Sequence, residues 1–184
     1  MSSNKRQTHM AFALALIAAL SCASASAQGT TAPGPLDFKL RTTDGGEITS
    51  EMVRGDVVVL AFGSSLLGPL SKSQAQGVQE LADHYGRQNV RVYFVCTDSD
   101  SAKSKTYATD DQLRDFAHRT GLKVAVLRDP DGALFKHAGA DQLPAVVLLD
   151  RHGAVSVPVV GGLDPNRKLL DVLSDRINKL LGEH

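Results

Sequence analysis

Val57-Val-Val-Leu-Ala-Phe62-Gly-Ser-Ser-Leu66-Leu67-Gly68-Pro69-Leu70 is the stretch that decides the fold. Val57 to Phe62 is an unbroken apolar run, the pattern of a central strand covered on both faces. Pro69 suits the first position of a helix, because it lacks an N–H that the first turn would leave unpaired. Beyond it Val78, Leu81, Ala82 and Tyr85 recur at helical spacing, and Gly86 supplies a stop. The segment therefore reads as a buried strand that turns directly into an amphipathic helix.

Working outward, Val90 to Cys96 reads as a second core strand and the polar run Thr97 to Thr109 as a loop. Asp110-Asp111-Gln112 opens a helix that carries Leu113, Phe116 and Ala117 and closes at Gly121, with His118 and Arg119 where cations suit the helix dipole. Asp129-Pro-Asp-Gly132 is a turn before a short helix over Leu134 to His137. Ala145 to Leu149 and Ala154 to Val159 flank Asp150-Arg-His-Gly153 and read as a hairpin. Asp164, with Pro165 after it, is placed to cap a final helix whose apolar stripe is Leu169, Leu170, Leu173, Ile177, Leu180 and Leu181. Upstream, Phe38 to Thr42 and Glu47 to Thr49 alternate around Asp44-Gly45-Gly46, a second hairpin signal. There is no internal repeat. Strands alternating with helices, then a hairpin and a helix, predict an α/β domain with a mixed central sheet flanked by helices and an N-terminal β-hairpin extension.

Three segments divide the chain. Lys5 and Arg6, the apolar run Met10 to Leu20 and the small residues Ala23 to Ala27 follow the order of a secretory signal, and the run is too short to span a bilayer. Residues 1–27 are read as a signal peptide removed after Ala27, residues 28–35 as a flexible Gly/Thr/Ala/Pro linker, and residues 36–182 as one domain. The location expected is exported, periplasmic or secreted, with no membrane span after cleavage. A competing reading makes Cys22 a lipid-anchored N-terminus, although Ala19 stands where such signals usually carry Leu. The 20 basic and 20 acidic residues balance; removal of Lys5 and Arg6 leaves 18 against 20, a charge of −2, which gives no electrostatic reason to expect nucleic acid. Cys22 and Cys96 are the two cysteines, so cleavage after Ala27 leaves Cys96 alone and excludes an internal disulfide.

From Pro35 to Leu181 the chain resembles the thioredoxin-like superfamily, in particular extracytoplasmic TlpA/ResA-type proteins and AhpC/TSA redoxins. The matches are Phe62 to Leu70, Leu143-Pro144 followed by the apolar strand and Asp150-Arg-His-Gly153, and the hairpin around Asp44-Gly45-Gly46. The resemblance implies a thioredoxin-like fold and places Leu67 and Leu70 at the positions of the redox cysteine pair, around an intact Gly68-Pro69 centre. It also implies that Pro144 is cis and that Leu143 and Pro144 form a platform for an extended substrate. Two departures weigh against the family chemistry: there is no Trp for a Trp-Cys-x-x-Cys motif, and no Cys for the peroxiredoxin loop. Without a thiolate nothing attacks a disulfide.

Cys96 is the remaining candidate nucleophile, at the end of a core strand with Thr97 and Asp98 beside it; the alternative reading is a small buried apolar residue. His84, His118, His137 and His152 lack zinc-type spacing, and Asp98, Asp100, Asp110 and Asp111 read as solvated surface, so neither a metal nor a cofactor is expected. Two functions compete. One is a binding or scaffold module that docks an extended peptide or protein partner at Leu66, Leu67, Leu70, Leu143 and Pro144. The other is a thiol-disulfide oxidoreductase or peroxiredoxin-like protein acting through Cys96.

Overall fold

The computed structural model describes residues 34–162, 164 and 167–182, apart from the side chains of 157 and 158. The expected signal peptide 1–27 with Cys22, and linker residues 28–33, lie outside the described residues, as does Pro165. Among the described residues no helix is long and apolar enough to cross a membrane.

The chain follows the order β1 (Lys39–Arg41), β2 (Glu47–Thr49), a 3-10 turn (Glu51–Val53), β3 (Val57–Gly63), α1 (Pro69–Tyr85), β4 (Val90–Cys96), α2 (Asp110–Thr120), β5 (Val126–Arg128), α3 (Ala133–His137), β6 (Ala145–Leu149), β7 (Val155–Gly161) and α4 (Leu169–Gly182). β1 and β2 form an antiparallel hairpin with Gly45 in its turn. The other five strands form one sheet in the order β5-β4-β3-β6-β7. β3, β4 and β5 are parallel, while β6 and β7 run antiparallel to their neighbours. This is the thioredoxin-like architecture, with the hairpin docked on the β5 edge through Thr42 opposite Leu127 and the Thr43 N–H on Val126 O at 3.0 Å.

The apolar run explains why β3 is central. Val57, Val59 and Ala61 pack on one side with Ala75, Val78 and Leu81 of α1, Leu113 and Phe116 of α2, and Leu173 and Ile177 of α4. Val58, Leu60 and Phe62 pack on the other with Phe38, Val53 and Leu134. Every residue of β3 is buried, and each large side chain so buried contributes about 1.5–3 kcal/mol. At Gly63 the strand has no room for more: a Cβ there would lie 2.2 Å from Gln74 Oε1 and 2.8 Å from Phe94 Cζ.

Two elements and one residue differ from the sequence reading. β5 has three residues, too few to show a period, and it ends in Arg128, whose charge disguises a side chain that is fully buried. The final helix starts at Leu169 instead of at Asp164. Arg167 N–H bonds Asp164 O at 3.1 Å in a turn, and helical bonding begins with Val172 N–H on Lys168 O, where Leu169 packs against Gly77. Asp98 is 1% exposed, so it does not belong to the solvated surface expected of Asp98, Asp100, Asp110 and Asp111.

Candidate functional site

Strand register brings three chain segments to one edge of the sheet. Gly63 lies opposite Cys96 in the parallel β3–β4 pair, and Phe62 lies opposite Ala145 in the antiparallel β3–β6 pair. Pro144, one residue before Ala145, therefore stands beside the end of β3, just where the chain turns towards α1. The Leu143–Pro144 bond is cis, as the resemblance implied. Pro144 O accepts from Gly162 N–H at 3.0 Å, whereas Leu143 has no hydrogen-bond partner on its backbone among the described residues. Proline carries no N–H. Among the described residues the main-chain groups of half-buried Leu143 are therefore without an internal partner.

The turn from β3 to α1 is braced by side chains. Asp98 extends β4 past Cys96 and is brought alongside the turn because Thr97 N–H bonds Gly63 O at 2.9 Å. Its carboxylate accepts from the Ser64 hydroxyl, from Ser65 N–H at 2.9 Å and from the Ser65 hydroxyl at 2.6 Å. The Ser64 oxygen in turn accepts from Leu66 N–H at 3.1 Å. Ser71 on the first turn of α1 accepts from Leu67 N–H at 2.9 Å and donates to Ser64 O at 2.5 Å. Gly68, at φ +62°, takes the left-handed conformation that lets the chain enter α1. Three consecutive amides are thereby satisfied by side-chain oxygens, as buried or half-buried donors require.

The outcome is an unusual exposure of apolar side chains. Leu66 is 53% and Leu67 39% exposed, two of the four large apolar residues left open among the described residues, with Met52 and Tyr107 elsewhere. Leu70 is half-buried and lines a cleft of ≈ 420 Å³ together with Gln74, Gly77, Pro144, Val160 and Leu169. Gln74 donates to Phe62 O at 2.8 Å from the cleft wall. Of the five residues singled out from the sequence, Leu66 and Leu67 lie on the β3–α1 turn, Leu70 on the first turn of α1, and Leu143 and Pro144 just before β6, with Leu70 and Pro144 sharing the cleft.

Cys96 sits at the same edge but is closed off. It is 0% exposed, and burial followed by the negative charge of Asp98 pushes its thiol up to about 12. It packs with Ala108, Leu113 and Val126 as a small apolar residue would. Opposite it in the β4–β5 pair, Arg128 donates to Ala108 O at 3.0 Å and lies 3.6 Å from Asp110, which also pairs with Arg41 at 2.5 Å. No group of three or more His, Cys, Asp or Glu side chains that would hold a metal occurs among the described residues.

Asp98 and Ser71 are the residues sequence reasoning passed over. A Ser-Ser pair at a strand end and an Asp just past the neighbouring parallel strand signal a brace only once β3 and β4 are known to be adjacent and in register. A family model described as AhpC/TSA family matches residues 29–157. Among solved structures the chain is similar to MTB dsbF, determined in mixed oxidized and reduced forms, at 26% identity and a TM-score of 0.63, covering 82% of this chain and 99% of that one. The fold is also that of a secreted Mycobacterium tuberculosis disulfide oxidoreductase homologous to E. coli DsbE (20% identity, TM-score 0.58, 78% of this chain and 96% of that one). Bacillus subtilis StoA shares it too (21% identity, TM-score 0.55, 71% of this chain and 92% of that one). No curated protein matches the chain.

Proposed function

The chain belongs to the AhpC/TSA family, and from that premise we propose that it is an exported thioredoxin-fold binding module. In this reading it has given up dithiol chemistry and docks an extended peptide segment of a partner protein at the Leu67–Pro144 edge. The observation that carries the reading is the braced exposure of Leu66 and Leu67 on the turn before Leu70, which shares a cleft with Pro144, next to a Leu143 backbone without a hydrogen-bond partner among the described residues. A turn free to relax would fold apolar side chains inward. Here the hydrogen bonds of residues 65–67 hold the backbone in one conformation, and the leucines stay out. Exposed apolar surface of this kind marks an interaction site, and a free main-chain edge takes an extended segment by strand addition.

The oxidoreductase alternative needs an accessible thiolate. Leu67 and Leu70 supply none, and Cys96 is buried with its ionisation suppressed. Export is supported by the signal-like order of residues 1–27 and by the secreted relative of the same fold. A pull-down from the exported fraction with the wild-type chain and with Leu67→Asp tests the docking reading. Capture lost in the variant supports it; capture that survives in a folded variant rules out this edge.

A further inference from the structure

We infer that Asp98 is the positioning residue of this edge: through Ser64 and Ser65 it fixes the β3–α1 turn so that Leu66 and Leu67 are presented before any partner arrives. The inference rests on the docking reading and adds the group that prepares the surface for it.

Proton accounting carries the assignment. An ionised carboxylate accepts only, and Asp98 has three donors on it: two hydroxyls and one amide. A serine hydroxyl has a single proton, so Ser64, having given its proton to Asp98, turns its oxygen to Leu66 N–H. Ser71 gives its proton to Ser64 O and its oxygen to Leu67 N–H. Two donor chains result: Leu66 N–H through the Ser64 hydroxyl ends on Asp98, where both Ser65 donors also end, and Leu67 N–H through the Ser71 hydroxyl ends on the Ser64 carbonyl. Take the carboxylate away and both Ser64 and Ser65 lose their acceptor, the Ser64 hydroxyl in buried surroundings where water does not replace it. Asp98 itself is 1% exposed and Ser64 is buried. Residues 64–68 belong to neither β3 nor α1, so the turn is held by these side-chain bonds, those of Ser65 and Leu66 leading to Asp98 and that of Leu67 to Ser71. Asp98 contacts the turn only through these bonds and contributes no surface to the cleft, so its effect on docking runs through the position of the leucines.

The test is residue-level amide hydrogen exchange on the full chain, comparing wild type with Asp98→Ala, with Asp98→Asn as the milder variant that keeps one acceptor oxygen, and with the exposed control Asp111→Ala. Binding of a synthetic peptide alternating valine and lysine is followed in parallel. The expected result is at least ten-fold faster exchange at Ser65 and Leu66 in Asp98→Ala, a smaller rise in Asp98→Asn, unchanged protection at Val58 to Phe62, and weaker peptide binding in the same order. Exchange at Ser65 and Leu66 that does not change, or that rises only in step with β3, overturns the assignment. If the turn loosens as expected while the wild-type chain binds no peptide, Asp98's hold on the turn stands and the docking reading falls.

Discussion

Leu67 donates its backbone N–H to the Ser71 hydroxyl at 2.9 Å, so an amide at the mouth of α1 is already engaged by the chain itself. A helix start in this position can lower the pKa of a thiol through its free N–H groups and its dipole. Here a leucine occupies the position and a serine takes the amide. In the proposed reading this edge presents a braced apolar surface where the resemblance places the redox pair.

Restoring the sulfur atoms tests that correspondence. Leu67→Cys combined with Leu70→Cys is expected to give a folded protein that forms a reducible disulfide on mild oxidation, seen as a loss of two titratable thiols that dithiothreitol reverses. A folded double variant whose thiols stay free means that Leu67 and Leu70 are not the positions of the lost pair.

Cys96 predicts both slow chemistry and a particular pH dependence. With its thiol at about 12, roughly one molecule in 10⁵ is ionised at pH 7, so alkylation by iodoacetamide in the native state is expected to be orders of magnitude slower than in denaturant. The thiol keeps its proton in the folded state after the unfolded chain, near 9.0, has lost its own. Stability is therefore unaffected below pH 9 and falls as pH rises towards 12, by at most about 1.4 kcal/mol per unit. Tyr93, raised by burial, adds in the same sense. Denaturation series from pH 8 to 11 on wild type and Cys96→Ala measure it: the variant's profile is expected to be flatter, and identical slopes would remove the claim.

Gly63 and Gln74 predict a coupled pair. Gly63→Ala places a Cβ 2.2 Å from Gln74 Oε1 and 2.8 Å from Phe94 Cζ, an overpacking expected to cost about 1–3 kcal/mol. Adding Gln74→Ala removes the nearer obstacle, so the double variant is expected to be more stable than the sum of the two single changes predicts. Additivity in urea denaturation would show that the two do not compete for that space.

Leu66→Asp and Leu67→Asp separate exposure from packing. Both side chains are open to solvent, so each change is expected to shift stability by about 0.5 kcal/mol or less, while partner capture is lost. A loss of several kcal/mol would mean that these leucines are packed in solution.

Most of the architecture was legible because period and punctuation agreed with burial. β4 over Val90–Cys96 and β6 over Ala145–Leu149 have the bounds their apolar runs predict, and α2 closes at Gly121, whose φ of +77° is the stop expected of a helix-ending glycine. β5 was not legible, since three residues ending in arginine show no pattern. The start of α4 was misplaced because a capping residue and a proline are local signals, whereas the helix begins where Leu169 meets Gly77. Within the site the leucines and Pro144 were legible by alignment to a motif. Asp98 was not: one aspartate in a Ser/Thr/Asp/Lys run looks solvated until strand register places it under the turn.

The most direct test of docking without thiol chemistry is a photo-crosslinking residue placed at Leu67 in the full chain expressed in cells, with one at Met52, on the 3-10 turn before β3, as control. The account predicts that position 67 captures a discrete partner, that the product survives reductant and persists in Cys96→Ala, and that position 52 does not yield it. Equal capture at both positions, or a product that reductant releases and Cys96→Ala abolishes, would contradict it.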